Sequence, residues 1–280
     1  MIFEASSANY GESMGNIATL KKLSRSGGGG YTYISRQALR YNIVNQLGWD
    51  NTPVDAIGSG EKMVVQFSPS ATIADYPEID LFGYMKTDSG KYATTRSAVV
   101  RLSNAVSLEE YSSDLDFLTN MGLAGRKDGL VNSIAQSEIH KSFYSYTITI
   151  DLNKVGVDRN ISVTNDEKAA RVCDLLKTVQ FLYRDIKGRS ENLSPVFAIG
   201  GVYSRKTPFF ENRLALSGMN LRLDTVTDTM NGIGEPSVVG YISGIFKNDS
   251  EIKEKLSPIS ISEMFSELSK KVKEFYNESN

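Results

Sequence analysis

Strict alternation through Phe143–Leu152 is the sharpest hydrophobic pattern in the chain. Tyr144, Tyr146, Ile148, Ile150 and Leu152 fall on one side, and Ser145, Thr147, Thr149 and Asp151 on the other. A period of two with aromatic and β-branched residues predicts a single strand there. The rhythm then becomes helical. Val172, Leu175, Leu176, Val179, Leu182 and Ile186 recur at i, i+3, i+4 behind the capping box Thr164–Glu167, and Gly188 ends the run. That predicts a helix through Ile186. A second helix is predicted between Ser35, a good N-cap, and Gly48, a good C-terminal glycine. A third runs from about Ser260 to Tyr276, with Ile261, Met264, Phe265, Leu268 and Val272 on one stripe.

The remaining pattern is weaker. The start reads as a short strand ending at Ser6–Ser7, then a turn at Asn9–Gly11; Tyr31–Ile34 reads as extended, after a glycine-rich loop at Ser26–Gly30. Residues 49–80 carry Pro53, Pro69 and Pro77 without a sustained period, an irregular insertion with short strands such as Met63–Phe67. Thr94–Ala105 is weakly extended, and the polar run Ser107–Ser137 predicts a protruding hairpin or loop. Pro195–Tyr203 predicts a buried strand with a close-approach pair, Gly200–Gly201. Strand–helix alternation at both ends of the chain, with insertions between, points to an α+β fold. A ferredoxin-like sheet with two helices on one face fits the order best.

Composition narrows the chemistry. The 280 residues include one cysteine, Cys173, and one histidine, His140. This excludes a disulfide framework, zinc ribbons and almost every imidazole- or thiolate-based metal site. Nothing in the sequence calls for a cofactor. The N-terminus lacks a charged-then-apolar signal pattern, and the apolar-looking run Val238–Phe246 is too short to span a bilayer. The expectation is a soluble cytoplasmic protein with no membrane partner. Formal net charge is −2, yet residues 21–40 hold five basic side chains and no acid, whereas the tail from Asp249 holds seven acids and five lysines. Local basic charge on a near-neutral chain suits a phosphate-binding surface, and equally a solvated loop.

The 35–47 helix adds a second sign. On a wheel turning roughly 100° per residue, Arg36 and Arg40 fall on the stripe of Leu39, Ile43, Val44 and Leu47, opposite Ala38, Asn42, Asn45 and Gln46. Two arginines on the inward azimuth need either an anion in a groove or carboxylates elsewhere in the fold. The positive dipole end of the helix, with Ser35 and Gln37 as donors, favours an anion. The glycine loop lacks the Lys-Ser/Thr of a phosphate loop. Asp114 and Asp116 have no third ligand nearby in the sequence, His140 has no partner for a triad, and Cys173 reads as a small core side chain. Phe117 and Leu118 are apolar in a polar segment, where they either pack the protrusion down or serve as a wedge.

The segments NYGES, KKL, YTYISRQALRY, DLFGYM, SNAVSLEEYSSDLDFLTN and SFYSYTITIDL occur in that order. They resemble the DevR-type backbone subunit of type I-B CRISPR surveillance complexes (Cascade), closely from Asn9 to Leu152 and more loosely to Leu216. The resemblance implies an RNA-recognition-like (RRM-like) palm from residues 1–48 and 141–280, a finger insertion at 49–93 and a thumb at 94–140. It implies a non-catalytic subunit that polymerises with copies of itself along CRISPR RNA, beside other Cascade subunits, and that holds the guide while it pairs with target DNA. The residues implied at the RNA are Asn9, Lys21, Lys22, Arg25, Tyr31, Ser35, Arg36, Gln37, Arg40 and Arg101, with Phe117 and Leu118 as the thumb wedge. The alternative is a target-RNA endoribonuclease like related type III subunits, which cut with an aspartate before the first helix. Between Asn9 and Ser35 this chain has no aspartate and one acid, Glu12. The first strand is also shorter than is usual in the family.

Overall fold

The structure is a computed structural model that describes residues 1–25, 27–58, 60, 63–87 and 93–278. Ser26, from the predicted glycine-rich loop, lies outside the described residues. The chain is mixed α+β. Its central sheet has seven strands: β1 (Ile2–Ala5), β2 (Lys22–Ser24), β3 (Gly30–Ile34), β4 (Ala105–Ser107), β5 (Ser142–Ser145), β6 (Phe197–Gly200) and β7 (Val238–Tyr241). They lie in the order β7-β6-β1-β5-β4-β3-β2, and every neighbouring pair is antiparallel. The helices are α1 (Arg36–Leu47), α2 (Pro77–Phe82), α3 (Met121–Ala124), α4 (Asn165–Gln180), α5 (Asp224–Ile233), α6 (Asp249–Leu256) and α7 (Ile261–Glu278).

Alternation within β1 and β5 feeds two cores. Phe3 pairs with Tyr144 in register, and both are fully buried with Leu39 and Ile43 of α1, Val172 and Leu175 of α4, and Phe265 and Val272 of α7. Ile2 and Phe143, on the other face, pack with Phe197, Val239, Phe246 and Ile252. The sheet is thus covered on both sides here, so Phe143 is buried as well as Tyr144. Burying aromatic side chains of this size contributes roughly 1.5–3 kcal/mol each.

Three sequence expectations need correction. The predicted strand over 143–152 is two strands. β5 ends at Ser145, and Ile148–Ile150 pairs instead with Val100–Leu102. Between them the Thr147 N–H donates to Ser103 Oγ and the Tyr146 N–H to the Met1 carbonyl, so the ladder changes partners with both of these backbone N–H groups satisfied. The helix expected to reach Ile186 stops at Gln180. Tyr183–Ile186 and Arg189–Asn192 form a hairpin, fastened where Gln46 bonds the Tyr183 backbone through both ends of its amide. Tertiary pairing has overridden an apolar spacing that continued the helical period by chance. Finally, the turn read at Asn9–Gly11 is instead the start of the hairpin Tyr10–Met14/Ile17–Leu20.

That hairpin belongs to a second, four-stranded sheet in the order 114–119, 134–139, 17–20, 10–14. Asp114–Thr119 and Ile134–Ile139 are the arms of the protrusion expected at 107–137, and the second arm runs parallel to Ile17–Leu20 through Gln136↔Ile17 and Ser137↔Ala18. The insertion after α1 contributes the hairpin Val54–Ile57/Val64–Phe67 and the short helix α2. Its anchor is Asp80, fully buried on α2. The carboxylate accepts from Arg96 (2.6 Å), Arg171 of α4 (2.9 Å) and the Gly156 N–H (3.0 Å). A buried carboxylate with two guanidiniums and a backbone donor is fully satisfied, the condition under which it is tolerated.

Candidate nucleic-acid interface

The opening of α1 forms as its sequence predicts. Ser35 is the N-cap, its Oγ accepting from the Ala38 N–H, and Gly48 closes the helix in the left-handed region at φ 65°. The Ser35 hydroxyl also donates to Asn9 Oδ1 (2.6 Å), which takes the Ser35 N–H as well (3.2 Å). Asn9 Oδ1 and the Ser35 hydroxyl proton are therefore spent on each other, and Ser35 is only 8% exposed. Their local effect is to fix the first turn of α1 against the loop after β1. The Arg36 N–H goes to Asn104 Oδ1 at 2.9 Å. Asn104 was not among the sequence candidates, and its single amide carries no local pattern that could have found it.

The wheel placed both arginines inward; the structure separates them. Arg36 and Gln37 are exposed, while Arg40 is half-buried, paired with Glu78 at 3.2 Å and set over the Phe82 ring. Arg40 thus has the carboxylate partner that the sequence left as its other option, and the Arg36 side chain forms no ion pair among the described residues. Ala38, expected on the solvated face, is half-buried against the core, and Tyr41 is exposed instead.

Around this turn, backbone bonds gather the basic segment. The Lys21 N–H donates to the Asn9 carbonyl and the Tyr33 N–H to the Lys21 carbonyl, so Lys21 sits directly beside the Asn9–Ser35 contact. Lys22 is exposed, binds the Glu138 carboxylate (2.6 Å) and lies over the Tyr111 ring. Arg25 stacks over Tyr31 at 4.4 Å from the ring centroid. Arg101 is exposed, three residues before Asn104, with its Nε donating to the Ala98 carbonyl. Asn9, Lys21, Lys22, Ser35 and Arg36 are brought together; Arg40 lies a turn further along α1.

Phe117 and Leu118 lie on the outer hairpin opposite Gln136 and Ala135 and are 61% and 70% exposed. They do not pack the protrusion down. Met121, Leu123, Val131 and Ile134 near the same tip are also exposed, an apolar cluster large enough to mark an interaction surface. The hairpin is tied to the basic segment through Glu138, which takes the Leu20 N–H as well as Lys22.

Two cations escaped the sequence reading, Lys187 at the end of the segment assigned to a helix and Arg189 just beyond it. Lys187 Nζ donates to Ser137 Oγ (2.9 Å) and sits 4.5 Å from the Tyr10 ring centroid, and Arg189 donates to Ser7 Oγ (2.6 Å). The basic strip therefore continues around Tyr10. The remaining candidates are structural in their surroundings. His140 is buried, with Nδ1 2.8 Å from Thr32 Oγ1, and burial pushes its pKa down. Cys173 is half-buried between α4 and α7, and burial raises its pKa. Asp114 and Asp116 are exposed on the outer hairpin. Among the described residues no group of three or more His, Cys, Asp or Glu could hold a metal ion. No described helix is long and apolar enough to cross a membrane.

Two solved structures show the same fold. A chain of the "CRISPR RNA-guided surveillance complex, pre-nicking" aligns with a TM-score of 0.58 at 11% identity, covering 95% of this chain and 99% of that one. A chain of a "CRISPR RNA-guided surveillance complex" aligns with a TM-score of 0.51 at 14% identity, covering 85% and 84%. No curated protein matches the sequence. Residues 1–215 match the family described as "CRISPR-associated negative auto-regulator DevR/Csa2". With its site segments and most of its length inside that match, the chain belongs to the DevR/Csa2 family of CRISPR-associated proteins.

Proposed function

We propose that this protein is a non-catalytic, guide-RNA-binding backbone subunit of a type I CRISPR surveillance complex, of the I-B kind. The observation that carries the reading is the exposed cationic opening of α1, joined through Lys22 and Glu138 to a hairpin that holds Phe117 and Leu118 in solvent. Cations and a helix N-terminus grip a sugar–phosphate backbone without regard to base, and an apolar wedge tolerates any base it separates. The sheet order β6-β1-β5-β4, with α1 and α4 on one face, supports an RRM-like palm of residues 1–48 and 141–280, to which the base of the 94–140 segment lends β4 (Ala105–Ser107). The 49–93 insertion is then the finger and 94–140 the thumb.

In this reading Lys21, Lys22, Arg25, Tyr31, Arg36, Gln37, Arg40 and Arg101 face the guide. Asn9 and Ser35 act chiefly by holding the turn that presents Arg36 and Gln37. Copies of the chain line the guide side by side, other Cascade subunits bind the ends of the array, and the thumb enters the guide–target DNA duplex. Purification without nuclease tests this directly. Co-purifying RNA that nuclease trims to regularly spaced fragments is the expected result. A clean monomer that ignores RNA at low salt would overturn it. The non-catalytic part is tested by incubating the assembled complex with matching target RNA and a divalent metal, where regular cuts would refute it.

A further inference from the structure

The hairpin Tyr183–Ile186/Arg189–Asn192 turns in two residues, since Ile186 pairs directly with Arg189. Both turn residues have positive φ, 52° at Lys187 and 74° at Gly188. This mirror-image turn matches the twist of the strands, and at its first position it favours Asn, Asp or Gly. A long side chain crowds the neighbouring carbonyl in the left-handed region. Lysine is therefore held here against its backbone preference, and such outliers concentrate at functional sites.

Three further observations say what the side chain serves. Lys187 Nζ rests on the Ser137 hydroxyl and near the Tyr10 ring, and it forms no ion pair among the described residues. Moving onto an anion would thus break no salt bridge. Arg189, two residues on, stands 3.4 Å from Glu191 Oε1, but the other oxygen of that carboxylate already binds buried Arg184 at 2.6 Å. Two guanidiniums on one carboxylate leave a positive charge. The hairpin's remaining acid, Asp185, binds Ser190 and lines the groove beside α1 and α4 instead.

We infer that Lys187, presented by this turn together with Arg189, is a second phosphate contact for single-stranded RNA, alongside the α1 opening. The inference rests on the RNA-binding reading and adds to it a residue outside the motif segments. Its ligand is a phosphodiester, and lysine meets it as a mobile point charge.

The test measures binding of the full chain to a labelled single-stranded oligoribonucleotide across a range of salt concentrations. Lys187→Asn supplies the residue the turn prefers, so thermal stability stays the same or rises. RNA affinity at low salt falls several-fold, and the slope of log K against log salt shrinks by about 0.7, one single-strand phosphate contact. Lys187→Gln leaves the backbone demand in place and removes only the charge, so it loses binding to the same extent; Lys187→Arg retains it. Wild-type affinity and salt slope in both neutral variants, with binding still weakened by Arg36→Gln, would overturn the inference and leave the functional reading standing. No loss in any of these variants would remove the functional reading itself.

Discussion

At the scale of single residues, neighbouring arginines do different work. Arg36 is exposed, and its side chain forms no ion pair among the described residues, whereas Arg40 is tied to Glu78. Arg36→Gln is expected to weaken RNA binding several-fold and leave the melting temperature unchanged, in paired binding and thermal measurements. Arg40→Gln is expected to lower stability by up to about 1 kcal/mol, the scale of a partly exposed ion pair, besides its effect on RNA. Ser35→Ala removes a helix cap and one of the two donors to Asn9 Oδ1, the backbone N–H remaining, so a loss of about 1 kcal/mol is expected in denaturant unfolding.

His140 supplies a pH dependence. Burial disfavours its charged form and outweighs the opposing pull of the Glu109 carboxylate, so the folded-state pKa lies below the ordinary value of about 6.5. As pH falls through that ordinary value the unfolded chain takes the proton first, and the native state loses stability until its own depressed pKa is reached. Chemical denaturation below about pH 6.5 is expected to show this loss. His140→Gln would flatten it, and an unchanged slope in that variant would assign the effect to other groups.

At the scale of elements, the protrusion and the insertion are fastened by different forces. The insertion depends on Asp80 with Arg96 and Arg171, all buried. Asp80→Ala removes the buried carboxylate that two guanidiniums share, leaving Arg171 with Glu167 and Arg96 with the more distant Asp158, and an unfolding free energy lower by about 3 kcal/mol is expected. The outer hairpin is fastened by backbone pairing to Ile17–Leu20 and by Glu138, and its tip stays in solvent. Phe117→Ala is accordingly expected to leave folding intact. It should weaken target pairing more than single-strand RNA binding, and equal loss in both assays would count against a wedge.

The same elements show what local pattern can reveal. The caps Ser35, Gly48 and Thr164 and the stripe of α7 were legible because each signal acts within a few residues of itself. The Thr164 box forms only by half. Its hydroxyl takes the Glu167 N–H, while the Glu167 side chain turns to Arg171. Of the candidate site, the basic segment was legible from charge, and Phe117 and Leu118 as apolar residues in a polar run, while their exposure came only from the structure. Asn104 and Lys187 were not, since their positions follow from strands whose partners lie far away in sequence.

For the whole molecule, the central question is how one near-neutral chain presents a cationic face. The central sheet brings β2 and β3 beside the α1 opening and side-chain contacts to Ser7, Tyr10 and Ser137 place the separate 183–192 hairpin nearby, while the acid-rich tail is drawn into α6 and α7, where it forms its own pairs such as Lys253–Asp249 and Lys255–Glu251. The sum of charges therefore says little about the surface proposed to meet RNA, and steep salt dependence is expected despite the net charge of −2.

The sequence by itself determined the α+β class, the bounds of α1 and α7, the start of α4 and the family. These rest on short-range periodicity, capping chemistry and ordered motif residues. Only the tertiary structure decided that 143–152 divides between two sheets, that α4 ends at Gln180, and that residues 10–20 join a hairpin more than a hundred residues away. It also decided that Arg40, and not Arg36, is paired among the described residues. Strand partners and ion pairs are chosen by the approach of distant backbone, a quantity that no window of neighbouring residues contains.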